Sequence, residues 1–429
     1  MNGSMTERLT AADASNIAMD TPYQVNVFLM AGVLAPGGPV GPDGGVDLRE
    51  LRSALADRVV VAPRLAQRVR RVRRALVWQP VSLDLAQHVR RVAPVDGQGG
   101  FEALCARLIV TPLPLDRPLW ELLVVPGVAP ARTGVVFRVH HAMADGVAAV
   151  RLAQALMDPA VPTTGAREPS SARQAAAAPG LTGRRRVLRA RLRTVASGVE
   201  RTAAVLRPAV PRTALLGRIG PRRAVAFVDV ELDALAVGAD LAGATVNDAL
   251  LAAVAAAVRA ALLACGEEPP ASLPASVPVA LRERGPSGNA VGVMLVPLPL
   301  GEADVVRRLR RVAELTRAGK EEARSRGTFE LTRTRLGTWL FMRLARHQRL
   351  VALFVTNVPG PRHPLALAGA RLERIWPVTP LAGNVRLGVA AISYDGVLRC
   401  AVHCDGDAVP AAVIARTLQD ELARIASLA

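Results

Sequence analysis

Apolar residues recur along this chain in two rhythms. Short runs of unbroken or alternating apolar residues read as strands, and runs spaced three and four apart read as helices. PYQVNVFLMAGVLAP (22–36) reads as a strand or strand pair, followed by a Gly/Pro-rich loop through Gly45. VDLRELRSALADRVVVAPRLAQRVRR (46–71) carries a helical period, with Asp47 in a capping position near its start. RALVWQP (74–80) and DLAQHVRRVAP (84–94) read as short elements separated by a turn. GGFEALCARLIVTPL (99–113) is again helical. ELLVVPG (121–127) and TGVVFRVHHA (133–142) predict two strands, and DGVAAVRLAQALMD (145–158) the helix that follows.

The pattern breaks near residue 160. PAVPTTGAREPSSARQAAAAPG (159–180) has linker composition. The next stretch, 181–210, is helical in period and strongly basic, with its densest arginine run at 184–193. It fits either an anionic membrane surface or a simple crossover. A second half opens near Pro221 with a strand at 223–232 and a long helix at 245–266, where Thr245 or Asn247 stands near the cap. Five strand-like stretches follow, at 275–282, 289–300, 352–361, 385–396 and 397–407, with helices at 303–318 and 411–427. The expected organisation is therefore 1–160, a connecting segment 161–220, and 221–429. In each half helices alternate with strands, which predicts α/β or α+β layers with a cleft between two domains.

Composition changes this picture little. The chain is 51% hydrophobic with only 3% aromatics, so Ala, Val and Leu carry the core and global disorder is excluded. The net charge of +18 is almost entirely arginine. Such a field attracts nucleic acid, anionic lipid or a phosphate-bearing small molecule, although arginine-rich coding accounts for the same excess. There is no helix-turn-helix, zinc finger or aromatic-interleaved basic strand, so no nucleic-acid partner is expected. Cys105, Cys265, Cys400 and Cys404 are scattered, and no second pair completes a metal site with Cys400 and Cys404. Buried thiols in a reducing cytoplasm are expected. The opening MNGSMTERLTAADAS lacks an apolar signal core, and no unbroken apolar window of membrane-spanning length is present.

The chemistry concentrates in HHAMADG, His140 to Gly146, at the end of a predicted strand and before a helix. Adjacent strand residues face opposite ways, so two ligands to one metal ion are not expected from His140 and His141. Two readings stay open on spacing alone: histidines satisfied in the core, or one imidazole acting as a general base at a strand-to-loop junction. Gly146 would permit a tight turn there, and Asp145 would brace the loop. NVPGP (357–361) reads as a rigid strand-ending loop, SYDG (393–396) as a hairpin turn, and His403 as a strand residue.

HHAMADG resembles the HHxxxDG motif of the condensation-domain and chloramphenicol-acetyltransferase-like superfamily. More narrowly, the chain resembles the bacterial wax ester synthase/acyl-CoA:diacylglycerol acyltransferase family, nearly end to end. The likeness runs through LTAADASNIAMDTPYQVNVFLMAG (9–32), LVWQPVSLDLAQHVRRV (76–92), PLDRPLWELLVVPG (114–127), ATVNDALLAAVAAAVR (244–259), VTNVPGPRHPLALAG (355–369) and ISYDGVLRCAVHCD (392–405). TPYQVNV stands where the family commonly shows a Met-His pair, and PLDRPLW is shorter than the usual form.

The resemblance implies two chloramphenicol-acetyltransferase-like domains with a cleft or tunnel between them, acting as an acyl-CoA-dependent O-acyltransferase. Diacylglycerol or a long-chain alcohol would be the acceptor; the alternative is a specialised-metabolite O- or N-acyltransferase using acyl-CoA or a carrier-protein thioester. His141 would be the general base, His140 its support and Asp145 structural. Gly146, Trp120, Asn247 and Asp248 would shape the site. Acyl-CoA is expected as co-substrate, with no bound cofactor and no metal. The expected location is cytoplasmic, with peripheral contact at the inner face of the plasma membrane.

Overall fold

A computed structural model describes residues 6–73, 75–144, 146–158, 210–280, 291–326, 346–361 and 363–429. Asp145, the basic run 184–193 and most of the expected connecting segment lie outside the described residues.

Two six-stranded sheets organise the protein. In the first the strand order is β12 (Ala366–Leu367), β13 (Ala370–Val378), β2 (Val27–Leu34), β7 (Arg132–His140), β6 (Trp120–Ala129), β5 (Val89–Arg91). Its neighbours are antiparallel except β5 and β6. In the second the order is β10 (Val291–Pro299), β9 (Ser272–Ala280), β11 (Leu353–Val358), β14 (Leu387–Tyr394), β15 (Val397–Asp405), β8 (Arg223–Glu231). A small third sheet joins β1 (Glu7–Arg8), β4 (Ala75–Pro80) and β3 (Gln67–Val72). Sheet membership does not follow chain order: β12 and β13 belong by sequence to the second half and by pairing to the first sheet.

The helices expected from periodicity are present, with two differences. The helix after Asp47 stops at Val60, because Pro63 follows and the chain makes a short 3-10 turn before β3. The apparent helical period through residue 71 there is a strand of alternating Arg and Val that pairs with β4. Two helices carry no clear sequence signal: α1 (Ala11–Ala18), capped by Thr10, and the helix Leu232–Leu241. The helix Val246–Ala264 is capped by Thr245 and is long and apolar enough to cross a membrane by length and composition. About two thirds of it is buried inside the protein (67%), and it packs against the terminal helix Ala411–Ala426, so here it is a core helix.

The sheets meet along an apolar seam. Phe227 of β8 stacks on Trp376 of β13 at 4.4 Å and 7° between planes, and the Trp376 indole N–H donates to Asp229 Oδ1 at 2.6 Å. Burial pushes the Asp229 carboxyl pKa up, opposed by the indole bond and Arg399. SYDG forms the β14–β15 hairpin with positive φ at both Asp395 and Gly396, the mirror-image turn that suits strand twist. In NVPGP, a Cβ on Gly360 would stand 1.9 Å from the Ser393 carbonyl oxygen, so only glycine lets the loop close on β14. Cys105, Cys400 and Cys404 are buried free thiols, and Cys265 is exposed.

Candidate active site

The site forms where β7 runs out. β7 lies inside the first sheet and is buried along nearly its whole length, so both faces must be satisfied by protein. Arg138 and His140 share a face, and each is neutralised differently. Arg138 lies opposite Glu121 on β6, pairs with it, and donates to the Leu108 carbonyl at 2.9 Å and to the Thr111 carbonyl. Arg90 meets the other Glu121 oxygen at 2.6 Å. Burial pushes the guanidinium pKa down while Glu121 holds it up. This triad fixes the strand immediately before the histidines.

His140 is the last residue of β7 and is 1% exposed. The Ala142 backbone N–H donates to its Nδ1 at 3.0 Å, so that nitrogen presents a lone pair and the ring proton sits on Nε2. Nε2 accordingly donates to Asp20 Oδ2 at 3.1 Å. The other Asp20 oxygen accepts the Asn26 backbone N–H at 2.8 Å, tying the end of α1 to the start of β2. His140 is a fixed, buried brace.

His141 follows in the turn and is only partly buried. Its backbone N–H donates to the Asn26 carbonyl at 2.8 Å, carrying the β2–β7 ladder one step past the strand end. Its ring lies 4.7 Å from the Phe28 ring, tilted by 37°. The Asn16 side-chain amide of α1 meets its Nδ1 at 3.2 Å, and the Asn26 amide donates to Asn16 Oδ1 at 3.0 Å. The two histidines thus have separate partners, as opposite-facing neighbours should. Asn16, Asp20, Asn26 and Phe28 were not singled out by motif reading.

Trp120 opens β6, one strand over, and is 1% exposed. Its indole N–H donates to the Leu65 carbonyl at 2.8 Å, and its carbonyl accepts from His88 Nδ1 at 2.7 Å under a stacked His88 ring. Burial lowers the His88 pKa. The Leu119 carbonyl beside it accepts the His140 N–H at 3.0 Å, so Trp120 anchors the strand end that carries the histidines.

Gly146 begins the helix Gly146–Leu156 without a positive φ, and a Cβ there would meet only Phe28 Cζ at 4.0 Å. Backbone conformation therefore does not demand glycine, contrary to the tight turn expected from sequence; the glycine leaves open space next to the Phe28 ring. Asn247 and Asp248 sit in the other lobe, at the start of Val246–Ala264. Asp248 is buried and accepts from the Thr245 N–H at 2.9 Å, the Thr245 hydroxyl at 2.7 Å and the Thr316 hydroxyl at 2.6 Å. It completes a capping box and pins a neighbouring helix, which is a structural assignment.

Two α/β lobes, with a histidine pair at the end of a central strand, define a chloramphenicol-acetyltransferase-like acyltransferase. The wax ester synthase/diacylglycerol acyltransferase catalytic domain matches residues 9–250, and the C-terminal domain of the same family matches residues 287–426. The chain belongs to the wax ester synthase/diacylglycerol acyltransferase family. A Mycobacterium tuberculosis protein named as a probable diacylglycerol O-acyltransferase is 32% identical over 98% of this chain and 96% of its own length. Among solved structures, the wax ester synthase/diacylglycerol acyltransferase from Marinobacter aquaeolei VT8 matches with a TM-score of 0.72 at 22% identity, covering 97% of this chain and 98% of its own. The starter condensation domain of rhizomide synthetase, in complex with C8-CoA and Leu-SNAC, matches at 0.59 and 17% identity, covering 99% and 94%. The expected family and two-lobed fold are borne out, and the protein is an acyltransferase enzyme.

Proposed function

We propose that the enzyme moves a fatty acyl group from acyl-CoA to a hydroxyl acceptor, diacylglycerol or a long-chain alcohol, with His141 as general base. The observation that carries this reading is the placement of His141: a partly buried imidazole at the end of a braced sheet, backed by Phe28 and held through Nδ1. A ring held at Nδ1 turns Nε2 away from its anchor. Imidazole is the side chain suited to taking and returning a proton near neutral pH.

In this reading Nε2 takes the acceptor O–H proton as the oxygen bonds to the thioester carbonyl carbon. The tetrahedral intermediate collapses, the C–S bond breaks with its electron pair on sulfur, and the imidazolium returns the proton to the thiolate. Ester and free CoA leave, and no acyl-enzyme forms. Positioning the hydroxyl against the carbonyl supplies much of the acceleration. His140 and Trp120 keep the strand end rigid. The donor assignment is supported by the family and by a condensation domain of the same fold that is seen with C8-CoA. Lipid acceptors reside in membranes, so the reading carries with it peripheral contact with the inner face of the plasma membrane.

The test is thiol release from acyl-CoAs of graded length, with hexadecanol, diacylglycerol or no acceptor, and mass detection of product. Acceptor-dependent release is expected, falling by about 10²–10⁴-fold in His141→Ala. Inertness of folded protein toward every CoA and acceptor would defeat the lipid assignment and direct attention to carrier-protein thioesters.

A further inference from the structure

Two adjacent histidines end β7, and their hydrogen bonds give them different freedoms. His140 receives a backbone N–H, which cannot be reversed, so its tautomer is locked. His141 receives a side-chain amide, which can be reversed. We propose that the Asn16–Asn26 amide pair selects the tautomer of His141, and thereby sets whether its outward nitrogen is a donor or a base. The proposal rests on the base role given to His141 above.

A primary amide donates from nitrogen and accepts at oxygen. With Asn16 Nδ2 facing Nδ1 at 3.2 Å, Nδ1 must hold a lone pair, and the neutral ring carries its proton on Nε2. In that state Nε2 donates, and it cannot take a proton from an acceptor hydroxyl. Base action needs the other tautomer, with Nδ1–H meeting an oxygen. Reversing Asn16 supplies that oxygen.

The second amide makes this reversal feasible. Asn26 Nδ2 donates to Asn16 Oδ1 at 3.0 Å, and among the described residues the Asn26 side chain makes no other hydrogen bond. If both amides turn over together, Asn16 Nδ2 donates to Asn26 Oδ1 and the bond between them is kept. The contact to His141 is also kept, with donor and acceptor exchanged. The only loss is the longer Asn16 Nδ2 contact to the His141 carbonyl, at 3.4 Å. Both side chains are half-buried, outside the close-packed core. The backbone meanwhile stays fixed, because Asp20 holds the Asn26 N–H and the Asn26 carbonyl holds the His141 N–H. An acceptor hydroxyl donating to Nε2 favours the base tautomer, so acceptor binding itself pulls the pair over.

The decisive variant is Asn26→Asp, which does not alter any group bonded to the His141 ring. A carboxylate only accepts, so it obliges Asn16 to turn its nitrogen toward residue 26 and its oxygen toward Nδ1. With ¹⁵N-histidine labelling, long-range ¹H–¹⁵N spectra report the protonated nitrogen of each of the 6 histidines. His141→Gln identifies the signal by its loss. Expected are the Nε2–H form in the empty parent enzyme and the Nδ1–H form in Asn26→Asp and in Asn16→Asp. Asn16→Asp should also shift the kcat pH profile, since its carboxylate stabilises the imidazolium. Asn16→Leu should lower kcat by about 10²-fold, the scale of a misplaced reacting group, with little change in KM. A parent ring already in the Nδ1–H form, or one that stays Nε2–H in both Asp variants, would overturn the proposal. The spectra need no turnover, so the two readings fail separately. A tautomer that switches while His141→Gln leaves CoA release intact would keep the selector and remove the base.

Discussion

Asp248 belongs to a family motif, yet every hydrogen bond described for its carboxylate is structural, and Asp248→Ala separates the two roles. The substitution removes three accepted bonds, but not at equal cost. The Thr245 N–H is at an exposed position and turns to water. Losing the acidic residue and its half of the capping box costs about 1 kcal/mol, with a few tenths more from the helix dipole. The Thr316 hydroxyl is 1% exposed, but the Ala313 carbonyl stands 3.2 Å away and receives it instead. Exchanging a charged acceptor for that longer neutral one costs a further ~1–2 kcal/mol. The total is about 2–3 kcal/mol, below the cost of an orphaned buried donor. Asp248→Asn keeps the shape and one acceptor oxygen and should lose roughly half as much. Urea unfolding of parent and variants gives the stability change, and CoA release per folded molecule gives kcat under the same conditions. A variant with unchanged unfolding midpoint and a collapsed kcat would refute the structural assignment and return Asp248 to the reaction.

Two other perturbations probe the frame around the histidines. His403 is 1% exposed; its Nδ1–H donates to the Thr379 carbonyl at 2.7 Å, and among the described residues its Nε2 has no partner. Burial lowers its pKa from 6.5 to about 3, so the unfolded chain binds the extra proton first. Stability from keeping it neutral is complete above pH 6.5 and is lost as pH falls toward 3, at up to about 1.4 kcal/mol per unit. Urea midpoints should therefore drop between pH 6.5 and 5, and His403→Gln should flatten that slope; equal slopes would contradict the account. Gly146→Ala should fold with an unchanged melting temperature, since its Cβ meets only Phe28 at 4.0 Å. Larger side chains at residue 146 should lower CoA release while leaving the melting temperature nearly unchanged, and a large loss of stability in the alanine variant would show that glycine is demanded after all.

The strands of both lobes were legible because central strands buried on both faces need unbroken apolar runs, as in VVFRVHH and VRLGVAAIS. β3 was not, since Val59, Leu65 and Val69 imitate a helical period, and only pairing with β4 decides the matter. β13 carries a mixed pattern because one side packs on the seam around Phe227 while Arg371 and Glu373 reach outward. In the site, His140, His141 and Trp120 could be singled out by motif. Asn16, Asp20 and Asn26 could not, because nothing in an isolated amide or carboxylate tells which distant imidazole it will meet. One hint was present: TPYQVNV departs from the family's usual Met-His pair, and Asn26 falls within it.

The placement of β13 also bears on how the protein is made. β2, which flanks the histidine strand, has β13 as its other neighbour, paired from Leu29↔Val378 to Leu34↔Leu372. A ribosome delivers β2 and β7 early and β13 only when most of the chain is complete. Until then β2 is an open edge with unpaired N–H and C=O groups on an apolar strand, the kind of surface that pairs with other nascent chains. Closure over some 340 residues is a contact of very long range, slow for entropic reasons. A fragment ending near residue 250 would carry both histidines and still leave the first sheet unfinished, so this enzyme matures as one piece, with its catalytic strand sheltered last.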